Sequence, residues 1–177
     1  MLLLQHIYNL YVYCLNTPDD PRVKDLPLIN KPWLVLGIVV AYLFFVKYKG
    51  IALMKNRQPF KLKNVIIFYN ISQIFGNFFC ATITLNHSYI KGGYSFSCEP
   101  IPRGDYSSSA MIIRNMSYMY FIGKIIDLLD SVFFVLRKKN SQLTFLHVYH
   151  HTLMVLTSFV FVKFYSAGGH PVLLGKY

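Results

Sequence analysis

Residues 33–46 read WLVLGIVVAYLFFV, and this unbroken apolar run decides the fold class. It lies in a predicted span from Leu28 to Val46, which is long enough to cross the hydrocarbon core of a bilayer as a helix. Trp33 and Tyr48 flank the run, as aromatic residues do at the two interfaces of a membrane. The stretch therefore predicts a transmembrane helix.

The composition agrees with a membrane protein. The 177 residues are 54% hydrophobic and only 14% charged, whereas soluble domains carry about a quarter charged residues. The aromatic content of 17%, beside 10 Gly and 8 Pro, excludes collagen and a disordered chain. The three cysteines have neither the spacing of a metal site nor that of a disulfide framework.

Three further apolar runs follow, at residues 65–85, 109–136 and 145–165. The sequence thus predicts an all-α, polytopic membrane helix bundle with about four transmembrane helices. Residues 1–20 are predicted to form an extramembrane or interfacial segment, and residues 21–177 the transmembrane domain. The second run contains polar side chains that we expect to face other helices rather than lipid: Asn70, Ser72, Gln73 and Asn77.

The net charge of +11 is distributed unevenly along the chain. Basic residues without any acid fill the first and third connections: Lys47, Lys49, Lys55, Arg57, Lys61, Lys63, Arg137, Lys138 and Lys139. Because such residues gather in cytosolic loops, both connections are predicted to face the cytosol and the amino terminus the opposite side. Topology thus explains the basicity, and no nucleic-acid partner is predicted.

The third run contains ionisable residues, which cost roughly 2.5–3.5 kcal/mol each at the centre of a membrane helix. Lys124, Asp127, Asp130 and Ser131 fall within an arc of roughly 120° on one helix, so they can share an inward face. Intramembrane ionisable residues indicate a functional site by default. The alternative left open is a structural ion pair between Lys124 and Asp127 at i,i+3.

The fourth run begins with three histidines, His147, His150 and His151, which share one helical face. If the chain turns near Lys139–Asn140, Asp130 lies about nine residues before the turn and His147 and His150 about seven and ten after it, at matching depth. The two groups are therefore predicted to share a polar chamber roughly 10–20 Å from the cytosolic edge. Such a chamber suits an amphiphilic substrate.

Two chemistries fit these histidines. His-x-x-His-His occurs in the histidine boxes of membrane desaturases and hydroxylases, but those enzymes need several boxes, and the remaining histidines here are isolated. A single zinc ion held by three histidines stays open. The second chemistry is acyl transfer, in which a neutral imidazole attacks a thioester or acts as a base and a carboxylate orients it.

The motif Lys124-Ile-Ile-Asp127-Leu-Leu-Asp130-Ser131, followed by Arg-Lys-Lys at 137–139 and His-Val-Tyr-His-His at 147–151, closely resembles the ELO family. Members of that family are very-long-chain fatty acid elongases, or 3-oxoacyl-CoA synthases. Flanking segments at 20–23, 54–60, 69–70, 162–164 and 168–170 also agree. The resemblance covers nearly the whole chain.

The resemblance implies an acyltransferase of fatty acid elongation, multi-pass in the endoplasmic reticulum membrane, with a lumenal amino terminus given by the charge pattern. Such an enzyme condenses a long-chain acyl-CoA with malonyl-CoA and releases CO2 and CoA, without a metal or other cofactor. Its partners would be the two CoA substrates, membrane lipid, and further copies of itself or other elongases.

Residue roles follow from the same resemblance. His150 is proposed to carry the acyl group, while His147 and His151 orient it or move protons. The polar chamber would be completed by Lys124, Asp127 and Asp130. The residues expected to bind substrate are Arg137, Lys138 and Lys139 at the CoA phosphates, together with Ser131, Asn70 and Gln73.

The sequence departs from the family pattern at four places, one of which is Val155 in place of a frequent Pro. Asp127 stands where the family has Glu and Ser131 where it has Thr, and both keep the functional group. Family members continue through three further spans that contain another catalytic histidine, so about four of seven helices are expected here and the chain alone is predicted to be inactive. Two alternatives remain: a truncated partner of full-length elongases, and a metal-dependent membrane desaturase or hydroxylase.

Overall fold

The computed structural model of the protein describes residues 20–92 and 105–165. In these ranges the chain forms helices and no strand. The α-helices are α1 (Pro32–Phe44), α2 (Gly50–Met54), α3 (Lys63–Leu85), α4 (Ser108–Ile126), α5 (Leu129–Leu136) and α6 (Phe145–Tyr165). Shorter 3₁₀ turns lie at Pro21–Val23 and Asn140–Gln142, and π-helical segments at Phe45–Lys49 and Asn86–Ile90. The prediction of an all-α membrane bundle is confirmed.

Three helical spans are long and apolar enough, by length and composition, to cross a membrane: Pro32–Met54, Lys63–Ile90 and Phe145–Tyr165. The last matches its predicted bounds. The first begins later than predicted because Pro32 occupies the first helical position, which suits its fixed φ, and Leu28 has a positive φ of 68°. The π-helical segments carry the first two spans past their predicted ends.

The third predicted span, 109–136, is divided into two helices rather than forming one. α4 ends at Ile126 and α5 begins at Leu129. Between them the backbone N–H groups of Leu128 and Asp130 bond to carbonyls three residues back, at 3.2 Å each. This tighter turn interrupts the α-helical pattern, and neither Pro nor Gly marks it in the sequence.

The core lies between α1, α4 and α6. Buried residues of α1 recur along one stripe, and the buried valines of α6 recur every seventh residue, so each helix presents a single face. The two faces meet Phe121 of α4, whose ring lies 5.9 Å from that of Phe159. The buried residues of this interface are Val35, Val39, Tyr42, Val46, Phe121, Val148, Val155 and Val162.

A buried ion pair ties the start of the described chain to two helices. The Arg22 guanidinium contacts the Asp20 carboxylate at 2.7 Å and donates to the carbonyl of Asp105, ahead of α4. The backbone N–H of Asp20 bonds to the carbonyl of Lys163 near the end of α6. Asp20, the one residue of the predicted 1–20 segment within the described ranges, is therefore buried.

α3 has no buried residue and packs mainly against α4. Of the four side chains predicted to face other helices, only Gln73 bonds to another helix in the described part of the chain. Ser72 and Asn77 are exposed and bond to carbonyls of their own helix, and Asn70 is exposed. The expectation that all four face other helices is therefore wrong for these three in the described part of the chain, because a hydroxyl or amide can be satisfied by the preceding turn.

Candidate functional site

The first polar cluster lies where α4 ends. The Lys124 ammonium contacts Oδ2 of Asp127 at 2.7 Å, and the Gln73 amide donates to Oδ1 of the same carboxylate. Both charged side chains are mostly buried, at 15% and 18% exposed. The ion pair that the sequence left as an alternative is therefore present, and it also bridges α4 to α3.

The second cluster joins α1, α5 and α6 through hydroxyl groups. The Ser131 hydroxyl lies 3.0 Å from Nε2 of His147 and 2.8 Å from the Tyr42 hydroxyl. Ser131 is fully buried and Tyr42 is 6% exposed. Ser131, predicted to bind substrate, is thus enclosed between two protein side chains, where it orients the imidazole of His147.

The start of α6 places His147 in its first turn. Thr144 precedes the helix, and its hydroxyl accepts a hydrogen bond from the backbone N–H of His147 at 3.2 Å. This is the N-cap arrangement, which satisfies one of the free N–H groups of a helix start. The cap therefore fixes where α6 begins and the position of the His147 imidazole along the helix axis.

His151 faces the remaining acid of the site. Its Nε2 lies 3.9 Å from Oδ2 of Asp130, an ion-pair separation rather than a hydrogen bond. The His147 and His151 rings are 4.4 Å apart between centroids. Tyr69 of α3 lies beside the Asp130 carboxylate as well. The predicted match in depth between Asp130 and the histidines is confirmed.

His150 differs from the other two histidines. Its side chain is exposed, and its ring meets that of His151 edge-on, with 5.8 Å between centroids. No hydrogen bond to His150 occurs among the residues that the structure describes. The three histidines, which the spacing placed on one helical face, therefore differ in their surroundings. His147 and His151 point toward α5, whereas His150 lies at the exposed edge of that face.

The other predicted binding residues lie outside this cluster. Asn70 is exposed on α3. Arg137 is half-buried at the end of α5, and Lys139 is exposed. The Lys138 ammonium donates to the carbonyl of Lys55 at 3.2 Å, so this side chain turns toward α2 rather than the histidines.

Two tyrosines of the site were not predicted. Tyr42 lies on the buried stripe of α1, seven residues after Val35, and a buried tyrosine hydroxyl needs a partner. Tyr69 precedes Gln73 by one helical turn, and its hydroxyl lies 3.4 Å from the Gln73 amide. The stripe spacing was a usable signal for Tyr42, and the agreement of residues 69–70 with the family pattern was one for Tyr69.

In ranges 20–92 and 105–165 no group of three or more His, Cys, Asp or Glu side chains is arranged to hold a metal ion. The described residues therefore give the zinc and desaturase alternatives no support. In this arrangement the exposed imidazole of His150 lies beside the imidazole of His151, and the Asp130 carboxylate faces His151. Such a set can act as a nucleophile with an adjacent base.

Comparison with known proteins identifies a family that the chain matches. The profile of the ELO family, described as the GNS1/SUR4 family, matches residues 27–175. A very long chain fatty acid elongase of Aedes aegypti is 36% identical over 177 residues, covering 98% of this chain and 48% of that protein.

Two mammalian relatives agree. Very long chain fatty acid elongase 7 of Rattus norvegicus is 44% identical over 85% of this chain and 52% of its own length. Very long chain fatty acid elongase 4 of Homo sapiens is 39% identical over 84% of this chain and 46% of its own length. The chain spans about half the length of the curated relatives it matches.

Proposed function

The chain belongs to the GNS1/SUR4 family, and on that premise we propose that it carries the acyl-transfer site of a very long chain fatty acid elongase. The reaction joins a long-chain acyl-CoA to malonyl-CoA, gives a 3-oxoacyl-CoA, and releases CO2 and CoA. The proposed chemistry uses the chain's own imidazoles and carboxylate, with no cofactor. The proposed setting is the endoplasmic reticulum membrane, with the basic connections cytosolic.

The division among the three histidines is the observation that carries this proposal. His147 is held by Ser131, and His151 faces Asp130, whereas His150 is open to an incoming molecule. A nucleophile must be reachable, while its base must be oriented by a third group. His150 therefore takes the nucleophilic role, with His151 as its proton acceptor.

The first step transfers the acyl group to His150. One imidazole nitrogen attacks the thioester carbonyl, the carbon–sulfur bond breaks, and CoA leaves as a thiolate. His151 takes the proton from the attacking ring, and Asp130 stabilises the imidazolium that forms. The CoA thiolate is then protonated from His151.

The second step forms the new carbon–carbon bond. Malonyl-CoA loses CO2, and the electron pair of the broken bond attacks the acyl carbonyl carbon on His150. The carbon–nitrogen bond breaks, and His151, after taking up a proton from solvent, protonates the departing ring nitrogen of His150. The products are the free imidazole and a 3-oxoacyl-CoA two carbons longer. The overall reaction consumes one proton and needs no oxidant or reductant.

The Lys124–Asp127–Gln73 cluster has a positioning role in this proposal. The carboxylate of Asp127 already accepts from both partners, so it is not a free base. Its effect is to fasten α3 to the end of α4, directly before the turn that leads to Asp130. The cluster thereby fixes the position of Asp130 in the site.

The CoA phosphates are proposed to bind Arg137 and Lys139. Arg137 follows Asp130 by seven residues, so along α5 it lies two turns and roughly 10 Å away on nearly the same side. Arginine pairs well with phosphate because its guanidinium presents a planar fork of donors. The nucleotide would then stay at the mouth of the chamber while the thioester reaches His150.

The first half-reaction tests this function directly. Purified chain in detergent is mixed with excess long-chain acyl-CoA, and free CoA is measured by chromatography. A burst of about one CoA per chain is expected, because the acyl group stays on the enzyme. Such a burst would contradict the prediction, made from the sequence, that the chain alone is inactive. His150→Ala should abolish the burst and Tyr149→Phe, on the exposed neighbouring position, should leave it unchanged.

Labelled malonyl-CoA distinguishes acyl transfer from condensation. Incorporation of label into a 3-oxoacyl product supports the full proposal. A burst without incorporation contradicts condensation by this chain and leaves only its acyl-transfer step. No burst, or a burst that survives in His150→Ala, overturns the assignment of His150.

A further inference from the structure

Two adjoining clefts of about 590 and 600 Å³ lie between the end of the first span and the segment that joins α5 to α6. They share Lys47, Tyr48, Ile51 and Asn140, so they form one continuous depression, named here the basic groove. We propose that the basic groove binds an anionic phospholipid from the surrounding leaflet. This inference does not depend on the proposed function.

The lining of the basic groove includes Lys47, Lys55 and Lys138. Among the residues that the structure describes, no acid lines either cleft. Each lysine near a membrane surface attracts anionic lipid by roughly 1 kcal/mol, so the groove favours a negatively charged headgroup.

The backbone at Lys138 supports a ligand role for its side chain. Its φ is 56°, and it stands just past the end of α5, where the N–H groups of Lys138 and Lys139 bond to the carbonyls of Val135 and Phe134. This pattern closes a helix with a left-handed residue, usually Gly. A lysine is strained there, and strain of this kind concentrates at ligand-binding positions.

Measured along the first span from Lys55 to Leu43, the whole groove, lysines included, covers about the depth of one leaflet. Below the lysines its walls are Leu43 and Val46 on one side and Val148 and Thr152 of α6 on the other. From Lys55 to Leu43 the first span rises roughly 18 Å, about half of a hydrocarbon core roughly 30 Å thick. One phospholipid therefore fits with its phosphate at the lysines and a tail between the helices.

The groove is separate from the histidine site. Neither cleft is lined by Asp127, by Asp130 or by any of the three histidines His147, His150 and His151. Among the α6 residues that line it, Val148 and Thr152 follow His147 and His151 by one position, which turns them about 100° around the helix. A lipid bound here would contact a side of α6 that is turned away from His147 and His151.

Lipid binding by the purified chain tests the proposal. Native mass spectrometry in detergent compares palmitoyl-oleoyl phosphatidic acid with the phosphatidylcholine of the same tails. The expected result is tighter binding of phosphatidic acid, by about fivefold for each lysine engaged. The double variant Lys47→Gln with Lys138→Gln should lose this preference.

Lys49→Gln is the matched control, since it removes the same charge from the same π-helical segment but does not line the groove. Ala52→Trp places a large ring in the cleft from an exposed position and should block binding with all lysines intact. Size-exclusion chromatography confirms that each variant is folded.

Three outcomes would overturn the lipid assignment. Equal binding of the two lipids shows that headgroup charge is not recognised. Equal losses in Lys47→Gln and Lys49→Gln show that the groove is not the site. Displacement of phosphatidic acid by free CoA, itself dependent on Lys47 but not Lys49, identifies the groove as a nucleotide site instead.

Discussion

The Ser131 hydroxyl lies 3.0 Å from Nε2 of His147, and this contact joins the acidic helix α5 to the histidine helix α6. The same hydroxyl lies 2.8 Å from that of Tyr42, so three helices meet at one fully buried oxygen. The orientation of the His147 ring therefore depends on a residue of the first span.

Removal of the Ser131 hydroxyl should disturb both of its partners. Ser131→Ala leaves the His147 nitrogen and the Tyr42 hydroxyl without their shared partner, which costs about 1–3 kcal/mol. We expect a lower midpoint of thermal unfolding and a slower CoA burst. Tyr42→Phe keeps the Ser131–His147 contact and should have the smaller effect on the burst.

Ser72→Ala is the control for that experiment, because the Ser72 hydroxyl bonds only to a carbonyl of its own helix and is exposed. Its unfolding midpoint and burst should match those of the unchanged protein. A burst in Ser131→Ala that is as fast as in the unchanged protein would refute the positioning role.

Asp130 and His151 should be energetically coupled. Asp130→Asn removes the charge that stabilises an imidazolium at His151, and a loss of about 10²-fold in the burst rate is expected for impaired acid–base catalysis. A double-mutant cycle with His151→Gln measures the coupling, which should fall between about 0.5 and 3 kcal/mol. Additive effects of the two changes would mean that the 3.9 Å contact has no catalytic consequence.

Breaking the Lys124–Asp127 pair should destabilise the bundle. Lys124→Met leaves a carboxylate that is only 18% exposed without its cation, and uncompensated buried charges cost about 3 kcal/mol or more. Chemical unfolding in detergent should show this loss. The double variant Lys124→Met with Asp127→Leu should recover most of it, and a failure to recover would point to Gln73 as the dominant partner.

Two glycines of the first span form a matched pair for a stability test. A Cβ at Gly50 would lie 2.8 Å from Cγ1 of Val135 and 2.9 Å from the carbonyl oxygen of Phe45, whereas a Cβ at Gly37 meets nothing within 4 Å. Gly50→Ala should cost about 1–3 kcal/mol through overpacking. Gly37→Ala should be neutral or slightly stabilising.

The unfolding midpoints of the two glycine variants, measured in the same detergent, test whether Gly50 is closely packed against α5. Equal midpoints would show that α2 and α5 are not in close contact. A decrease confined to Gly50→Ala would support the close approach of the first span to α5. The cleft of the basic groove that Val135 lines depends on the same approach.

The amino-acid sequence by itself determined the features that depend on local pattern. The apolar runs predicted α6 with its observed bounds and the approximate positions of the first two spans. Counting residues from the turn also placed Asp130 level with the histidines, because helix rise is constant. The break between α4 and α5 escaped prediction, since neither Pro nor Gly marks it.

Only the tertiary structure decided which side chains meet. It joined Tyr42 to Ser131, selected Gln73 but not Asn70 as a partner of α4, and left His150 exposed while His147 and His151 turn inward. These outcomes depend on the rotation of each helix about its axis relative to its neighbours. That rotation is set by the packing of buried faces from distant parts of the chain, which no single stretch of sequence contains.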